Sequence, residues 1–349
     1  MKRVLLILLA LAICLAMTPA MAASHRVGIA MPTQSLQRWN QDGANMKALM
    51  EEAGYEVDLQ YANNEVNTQI SQIENMILGG AEILVISSID GSALDTVLAL
   101  AKEVEVPVIA YDRLLTNTMN VDYYATFDNY RVGVIQGMFV EEMLDLANAE
   151  GPFTIEFTAG DPGDNNAGLF FGGAYDVLKP YIESGKLVIK SGQTEFAQCA
   201  AINWSTQAAQ DRMDNILSAY YADGTKLDVC LCSNDNTALG VINSLRNFGF
   251  SDENMPLITG QDCDIAGIKN IIGGYQAMSV FKDTRVLAAQ TVKMVGDLLE
   301  GRAPETNAVY ANGLFDVPSY NCAIMLVGAD NYQEILIDSG YYTADQLAD

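Results

Sequence analysis

The sequence predicts an α/β protein built from two doubly wound parallel-sheet lobes. Short apolar runs alternate with segments of helical periodicity along the chain, a pattern typical of parallel strands joined by right-handed crossovers. Several of these runs are continuously apolar, as in strands that are buried on both faces. The chain has 349 residues, which is more than one core usually serves, so two lobes are expected.

Two series of strands and helices follow in chain order. The first series fills residues 27 to about 127 with five strands, and the helix after its first strand ends at Gly54, a residue suited to a C-terminal cap. A helix over residues 131–146 opens the second series. The predicted strands are 27–30, 57–61, 83–86, 106–110 and one ending near 127, followed by 154–158, 187–190, 228–232, 257–259 and 277–281.

The first 22 residues read as an export signal, which places the mature chain in the periplasm. Lys2 and Arg3 precede an apolar stretch, and Ala20-Met21-Ala22 forms a cleavage site after Ala22. The alternative is a lipid anchor on Cys14, which is disfavoured because Ile13 stands where a small residue is expected. No later apolar run approaches the roughly 20 residues needed to span a bilayer.

Composition excludes several classes of function. The chain carries 19 basic and 44 acidic residues, a formal net charge of −25, and so acidic a protein should repel nucleic acid and anionic lipid. His25 is the only histidine, and no G-x-G-x-x-G, P-loop or H-E-x-x-H motif is present. We therefore predict no catalytic residue, no cofactor and no enzymatic activity. A glycosidase using a carboxylate pair such as Asp262 and Asp264 is the enzymatic alternative.

Cysteine spacing indicates neither a metal site nor a disulfide framework. An odd number of cysteines remains after cleavage, which leaves at least one free thiol in an exported protein. Their spacings fit no zinc module, so no metal is predicted and buried thiols are the default. These residues are Cys199, Cys230, Cys232, Cys263 and Cys322.

Paired polar residues follow three predicted strands. Asp112-Arg113, Asn234-Asp235 and Gln261-Asp262 each stand where an apolar run ends, and ligands of open α/β sheets bind beyond the carboxyl ends of strands. A sugar hydroxyl both donates and accepts hydrogen bonds, so neighbouring carboxylates, amides and guanidinium groups suit a polyol. Ordinary capping turns are the alternative reading of each pair.

The two tryptophans add a second indication of sugar binding. Trp39 and Trp204 lie one in each predicted lobe and are flanked by polar residues. Their indole rings would supply apolar faces for the C–H surfaces of a pyranose. The alternative is partial packing on the surface of each lobe.

At these residues the chain resembles the periplasmic sugar-binding proteins of ABC transporters, which have the type I periplasmic binding protein fold. The resemblance is to the branch that holds the xylose-binding and multiple-monosaccharide-binding proteins. It is carried by Arg38-Trp39, 72–76 (QIENM), 111–113 (YDR), 127–129 (FDN), 164–167 (DNNA), 178–181 (LKPY), 233–235 (SND), 260–262 (GQD) and 281–284 (FKDT).

The resemblance implies a set of sugar-binding residues and a three-segment hinge. The expected sugar-binding residues are Arg38, Trp39, Asp112, Arg113, Asn166, Trp204, Asn234, Asp262 and Lys282. Family members differ at the position of Asn234, and Asp235 is expected to cap the following helix. The chain should cross between lobes near Asn129, Val280 and Gly313, which gives an N-terminal lobe of 23–129 plus 281–312 and a C-terminal lobe of 130–280 plus 313–349.

The resemblance also implies a function. A monomer would capture an aldopentose or aldohexose such as xylose, glucose, galactose or arabinose in the interlobe cleft, close, and deliver it to an inner-membrane ABC permease. Presentation of the closed form to a chemoreceptor or sensor kinase is the alternative. The same fold serves sugar-responsive repressors, but those carry an N-terminal DNA-binding domain where this chain has an export signal. The identity of the sugar and the acceptance of uronic acids stay open.

Overall fold

The computed structural model describes residues 24–348, and the predicted export signal with Cys14 lies outside the described residues. The strands are β1 (Arg26–Met31), β2 (Glu56–Tyr61), β3 (Ile83–Ile86), β4 (Val108–Tyr111), β5 (Tyr123–Phe127), β6 (Phe153–Thr158), β7 (Leu187–Val188), β8 (Val229–Cys232), β9 (Leu257–Ile258), β10 (Met278–Lys282), β11 (Ala308–Ala311), β12 (Asp316–Cys322) and β13 (Ile324–Gly328).

Helices follow most of these strands. They are α1 (Gln37–Glu52), α2 (Val66–Leu78), α3 (Asp95–Glu103), α4 (Asn129–Met143), α5 (Asn165–Glu183), α6 (Phe196–Cys199), α7 (Thr206–Ile216), α8 (Asp235–Phe248), α9 (Ile265–Ile272), α10 (Thr284–Leu299) and α11 (Ala344–Leu347). Short turns over Ile202–Trp204, Leu217–Tyr221 and Gln333–Asp338 complete the elements. This alternation confirms the predicted α/β class.

The first lobe is built on a sheet with the strand order β11-β12-β5-β4-β3-β1-β2. Its strands pair in parallel except for β11, which runs antiparallel to β12. The continuous apolar run Ile83–Ile86 forms the buried strand β3. Helices α1 and α10 pack with one face of the sheet, and α2 and α3 pack with the other, so the sheet is doubly wound.

The second lobe repeats the same winding. Its parallel strands have the order β7-β6-β8-β9, and β10 continues the sheet because Asp262 N donates to Val280 O at 2.9 Å and Val280 N donates to Gly260 O at 3.0 Å. Strand β13 then pairs antiparallel with β10. In the first lobe β1 lies between β2 and β3, and in the second lobe β6 lies between β7 and β8. The direction in which successive strands are added therefore reverses at β1 and at β6. Ligands of such sheets bind at this switch point.

Strand pairing corrects the expected position of the third crossing. Residues 313–322 were expected in the C-terminal lobe, but β12 pairs in parallel with β5, from Ser319 beside Tyr124 to Cys322 beside Phe127. The chain therefore crosses after Cys322 rather than near Gly313. Periodicity identifies a strand but cannot say which sheet edge will accept its hydrogen bonds. Similarly, β10 continues in the second lobe to Lys282, two residues beyond the expected crossing near Val280.

Candidate binding site between the lobes

A small cavity lies between the carboxyl ends of the two sheets, with about 30 Å³ open to the centre of a water-sized sphere. All nine residues expected from the resemblance line it, together with five that were not expected. The lining residues are Leu36, Arg38, Trp39, Asp112, Arg113, Asp164, Asn166, Phe170, Trp204, Asn234, Asn236, Gln261, Asp262 and Lys282.

The polar lining residues come mainly from strand ends and the helix starts that follow them. In the first lobe, Arg38 and Trp39 lie in the first turn of α1, and Asp112 and Arg113 directly follow the last residue of β4. In the second lobe, Asn166 lies in the first turn of α5, Asn234 precedes α8, Asp262 follows β9, and Lys282 ends β10. Because the two sheets have the same strand order, the loops after equivalent strands in the two lobes face the same cavity.

Arg38 connects carboxylates of both lobes. Its Nε donates to Asp42 Oδ2 at 3.0 Å, Nη1 donates to Asp262 Oδ1 at 3.2 Å, and Nη2 donates to Asp112 Oδ1. Burial lowers the pKa of Arg38, but the carboxylates of Asp112, Asp42 and Asp262 outweigh it and raise that pKa well above its ordinary value. The guanidinium is therefore a fixed cation between the sheets.

Asp42 accepts a hydrogen bond from Arg38 but does not itself line the cavity. The sequence reasoning did not identify it. It is fully buried and also accepts a hydrogen bond from the Tyr111 hydroxyl. Burial raises the pKa of Asp42 to about 6, although Arg38 opposes this shift. The spacing of four residues on one helix face is a signal that could have identified it.

Asp262 and Lys282 form the main ion pair of the second lobe. Lys282 Nζ lies 3.0 Å from Asp262 Oδ1, and the two side chains are 3% and 9% exposed. Burial alone would raise the pKa of Asp262, but Lys282 and Arg38 hold it below its ordinary value. The cavity therefore contains an ionised carboxylate, which is a strong acceptor for a hydroxyl.

A second ion pair joins Arg113 of the first lobe to Asp164 of the second. Arg113 Nε lies 2.9 Å from Asp164 Oδ2, and Arg113 Nη1 donates to Ser88 O at 3.0 Å. Burial raises the pKa of Asp164, with Arg113 acting in the opposite direction. Asp164 belongs to the DNNA stretch that carried the resemblance, but sequence reasoning selected only Asn166 from it.

Both tryptophans border the cavity and are almost fully buried, at 3% exposure for Trp39 and 5% for Trp204. The guanidinium carbons of Arg38 and Arg113 lie 5.1 and 4.9 Å from the centroid of the Trp39 ring. Trp204 Nε1 donates to Asp164 Oδ2 at 3.2 Å. The indole approaches the backbone so closely that a Cβ on Gly160 would lie 2.0 Å from Trp204 Cη2.

Three residues that line the cavity have a strained backbone conformation. Asp112, Trp204 and Asp262 have φ values of 59°, 56° and 88°, in the left-handed region that disfavours residues with a side chain. Such conformations cost on the order of 1 kcal/mol or more each and persist where surrounding structure imposes them. The surrounding structure therefore holds these three side chains in fixed positions beside the cavity.

Asn234, rather than Asp235, caps helix α8. Asn234 Oδ1 accepts from Thr237 N at 3.0 Å, so the expectation that Asp235 is the cap is wrong. The Asp235 carboxylate is buried inside the second lobe, where it accepts from Asp264 N at 2.9 Å and Gln276 Nε2 at 2.7 Å. The extended backbone of Asn234 suits the capping position, and its side chain still faces the cavity.

Gln261 was noted in a polar pair at a strand end but is not among the nine expected sugar-binding residues. It is 1% exposed, and its amide oxygen lacks a hydrogen-bond donor among the described residues. By contrast, Asn166 Nδ2 donates to Asp112 O at 2.8 Å and Asn166 Oδ1 accepts from the Tyr124 hydroxyl at 3.3 Å. A buried amide oxygen without a donor is costly unless a ligand or water supplies one.

The cavity can recognise a neutral polar molecule. Its three cations are all paired with its three carboxylates: Arg38 contacts Asp112 and Asp262, Arg113 contacts Asp164, and Lys282 contacts Asp262. In residues 24–348 no cluster of His, Cys, Asp and Glu side chains is arranged to hold a metal ion. The five cysteines of that part of the chain are free and buried, and burial raises the pKa of the Cys263 thiol beside Asp262 well above its ordinary value.

The chain is similar to a family of binding proteins over most of its length. A family profile described as "Periplasmic binding protein domain" matches residues 27–303. The chain is 47% identical to the multiple sugar-binding periplasmic receptor ChvE of Rhizobium radiobacter, over 99% of this chain and 100% of that protein. It is 35% identical to the D-xylose-binding periplasmic protein of Escherichia coli, over 97% and 98% of the two chains.

Solved structures show the same relationship. The crystal structure of an ABC transporter solute binding protein from Clostridium phytofermentans with bound β-D-glucose superposes with a TM-score of 0.91 at 58% identity, covering 93% of this chain and 100% of that one. The predicted two-lobed fold is therefore confirmed. No helix among residues 24–348 is long and apolar enough to cross a membrane.

Proposed function

Because the chain belongs to the periplasmic binding protein family, we propose that it captures a monosaccharide between its lobes and delivers it to an ABC permease of the inner membrane. The relatives are named as sugar-binding periplasmic proteins, and one solved relative holds β-D-glucose. The chain is accordingly a binding protein and not an enzyme. It acts in the periplasm after removal of residues 1–22, with cleavage after Ala22.

One observation carries this proposal: charged and amide groups from both sheets converge on one small cavity that two indole rings border. The groups we assign to sugar binding are Arg38, Trp39, Asp112, Arg113, Asn166, Trp204, Asn234, Asp262 and Lys282, and we add Asp164 and Gln261. Charge-assisted hydrogen bonds give strength and direction toward hydroxyls. The indole faces provide contact for the C–H surfaces of a pyranose.

The charge balance favours a neutral aldopentose or aldohexose over a hexuronate. Each lining cation already has a carboxylate partner within 3.2 Å. A uronate would add a fourth negative charge without an uncommitted cation to receive it, and an uncompensated buried charge is costly. Xylose, arabinose, glucose and galactose all fit this requirement.

Hinge closure couples binding to delivery. A sugar that contacts both lobes shifts the population toward the closed arrangement, which a permease can distinguish from the open one. Three connections would bend: near Asp128, near Asp283 and at Ala323. We further propose that the protein works as a monomer and that presentation of the closed form to a chemoreceptor or sensor kinase is a secondary use.

Titration calorimetry with a sugar panel tests the proposal. Xylose, arabinose, glucose and galactose, with glucuronate and galacturonate as charged counterparts, are titrated into the mature protein. At least one neutral sugar is expected to bind with micromolar or tighter affinity, about −8 kcal/mol or stronger, and to be recovered chemically unchanged. The uronates should bind at least tenfold more weakly than the matching neutral sugars.

A pair of aromatic variants locates the binding site. Trp204→Ala should weaken sugar binding at least tenfold, while Phe248→Ala, at an exposed phenyl group away from the cavity, should leave it unchanged. The proposal fails if the wild-type protein binds no member of the panel, or if it converts the sugar to a product.

A further inference from the structure

The C-terminal segment returns to the boundary between the lobes. Tyr342, which lies between the turn Gln333–Asp338 and helix α11, is only 3% exposed. Its ring packs in a core cluster of the second lobe that includes Cys263 and Ile268. The aromatic ring is thus anchored in one lobe, and its hydroxyl reaches the other.

The Tyr342 hydroxyl makes one hydrogen bond to each lobe at short distance. It accepts from Gln37 Nε2 of the first lobe at 2.7 Å and donates to Cys263 O of the second at 2.9 Å. A longer contact at 3.3 Å comes from Gln41 Nε2. A single buried hydroxyl therefore uses its donor within its own lobe and its acceptor capacity across the boundary.

The Gln37 amide completes this connection from the other end. Its Oε1 accepts from Ile265 N at 3.2 Å, which is the first residue of helix α9. Helix starts leave unpaired N–H groups, and Asp264, at the capping position, makes no side-chain hydrogen bond to this helix. The first lobe therefore supplies the polar partner that the second-lobe helix lacks. Gln37, Tyr342 and Ile265 together form what we call the interlobe bridge.

The interlobe bridge is adjacent in sequence to the sugar contacts of both lobes. Gln37 directly precedes Arg38 and Trp39 in the first turn of α1, and Cys263 directly follows Asp262. Neither Gln37 nor Tyr342 lines the cavity. The bridge thus connects the two backbone segments that carry Arg38 and Asp262 without touching the space where the ligand would lie.

We propose that Tyr342 is a positioning residue that determines sugar affinity by stabilising the closed arrangement from outside the cavity. The proposal rests on the proposed sugar-binding function. The Gln37–Tyr342 and Gln37–Ile265 hydrogen bonds span the lobes, so a movement that separates Gln37 from the second lobe would break them. An interaction present in one state alone shifts the equilibrium toward that state, and apparent affinity scales with the competent fraction.

Tyr342→Phe tests the proposal because it removes only the hydroxyl. Loss of one interlobe hydrogen bond should weaken the affinity for the best-binding neutral sugar about three- to tenfold. The change should appear mainly as faster sugar dissociation in stopped-flow measurements, since most affinity differences within one interface lie in the dissociation rate. Arg38, Asp262 and the indole rings remain unaltered in this variant.

A double-mutant cycle separates the bridge from a general structural effect. Gln37→Met keeps the side-chain length and removes both amide hydrogen bonds. If the two residues act through each other, Tyr342→Phe should have little further effect on affinity in the Gln37→Met background. Equal and independent losses in the two backgrounds would contradict the bridge.

Tyr221→Phe is the matched control. Its buried hydroxyl donates to Glu156 Oε1 at 2.9 Å, entirely within the second lobe. This variant should lower the melting temperature as much as Tyr342→Phe or more, but leave the affinity and dissociation rate unchanged. A parallel loss of affinity in Tyr221→Phe would show that lobe stability, and not the bridge, controls binding.

Small-angle scattering tests the bridge separately from the sugar-binding function. Failure of the wild-type protein to bind any sugar in the panel would reject the proposed function, not the bridge. In ligand-free protein, Tyr342→Phe should give a larger radius of gyration than the wild type, because the closed arrangement is less populated. An unchanged radius together with an unchanged dissociation constant overturns the proposal.

Discussion

The two lobes share a winding order but build their halves of the cavity from different chemistry. The first lobe contributes two guanidinium groups, Arg38 and Arg113, with Asp112 between them in the cavity wall. The second lobe contributes the carboxylates of Asp164 and Asp262, the ammonium group of Lys282 and a set of amide side chains. Both arginines of the first lobe pair with a carboxylate of the second.

The charge balance of the cavity is completed partly within each lobe and partly between the two lobes. Asp42 and Asp112 neutralise Arg38 inside the first lobe, and Lys282 neutralises Asp262 inside the second. Among the cations that line the cavity, Arg38 is the one that contacts carboxylates of both lobes. A ligand that inserts its hydroxyls among these groups therefore meets a site whose ion pairs already draw the lobes together.

Replacing the shared cation should have the largest effect. Arg38→Met leaves Asp42 and Asp112 buried without their cation, and breaking a buried pair in this way costs about 3–5 kcal/mol of unfolding free energy. The affinity for sugar should fall at least 100-fold. Lys282→Met should cost less, because Asp262 keeps Arg38. Denaturant unfolding and calorimetry measure the two quantities.

Arg131→Met provides the control for an arginine that is exposed at the start of α4, and both quantities should stay within experimental error of the wild type. Equal costs for Arg38→Met and Lys282→Met would show that the two lobes hold their charges independently.

Removing the second-lobe charge should have an intermediate effect. Asp262→Asn keeps the shape but deprives Lys282 of its partner at 3.0 Å and weakens the acceptor for Arg38. Hydrogen bonds to charged groups contribute about 1.5–3 kcal/mol, so sugar affinity should fall about 10- to 100-fold by calorimetry. Asp252→Asn, at an exposed position, is the control, and wild-type affinity in Asp262→Asn would remove Asp262 from the site.

The smallest expected effect is a pH dependence of stability that comes from the carboxyl group of Asp264 in the second lobe. Burial, with the charge of Asp262, raises the pKa of Asp264 from 3.8 to about 7. Between these values the folded protein holds a proton that the unfolded chain has released, so the stability associated with this group is lost as pH rises toward 7. Asp264→Asn removes this dependence.

The unfolding free energy of wild type should therefore fall relative to Asp264→Asn by about 1–2 kcal/mol between about pH 5.5 and pH 7.5. Denaturant unfolding at several pH values measures this difference. Asp330→Asn, at an exposed position, should run parallel to the wild type. Parallel curves for Asp264→Asn as well would show that the carboxyl group titrates as it does in the unfolded chain.

Local patterns predicted most strands to within one or two residues. The run Ile83–Ile86 matches β3 completely, and 57–61 lies inside β2, because continuous burial imposes an apolar run that short-range composition reveals. The strands after residue 300 were not predicted. β12 finds its place through hydrogen bonds to β5, nearly 200 residues earlier in the chain, and no local signal specifies such a pairing.

The sequence likewise identified part of the cavity lining. Polar residues at strand ends identified Asp112, Arg113, Asn234 and Asp262, and polar flanks identified the two tryptophans. The family resemblance supplied Arg38, Asn166 and Lys282. Asp42 was missed, and Gln261 was noted at a strand end but not selected for the site. The role of each depends on its neighbours: Asp42 accepts a hydrogen bond from Arg38, and Gln261 has an oxygen without a donor among the described residues. Both properties arise only when distant segments meet.

The sequence by itself determined the alternation of strands and helices, the absence of catalytic motifs, and the polar strand ends at which a ligand site would form. Burial and periodicity are local properties, so they are encoded within a few neighbouring residues. Only the tertiary structure decided which sheet receives β12, which carboxylates share Arg38, and where Tyr342 bonds. These depend on directional hydrogen bonds between groups far apart in the chain, and their partners are fixed only when both sheets are folded and adjacent.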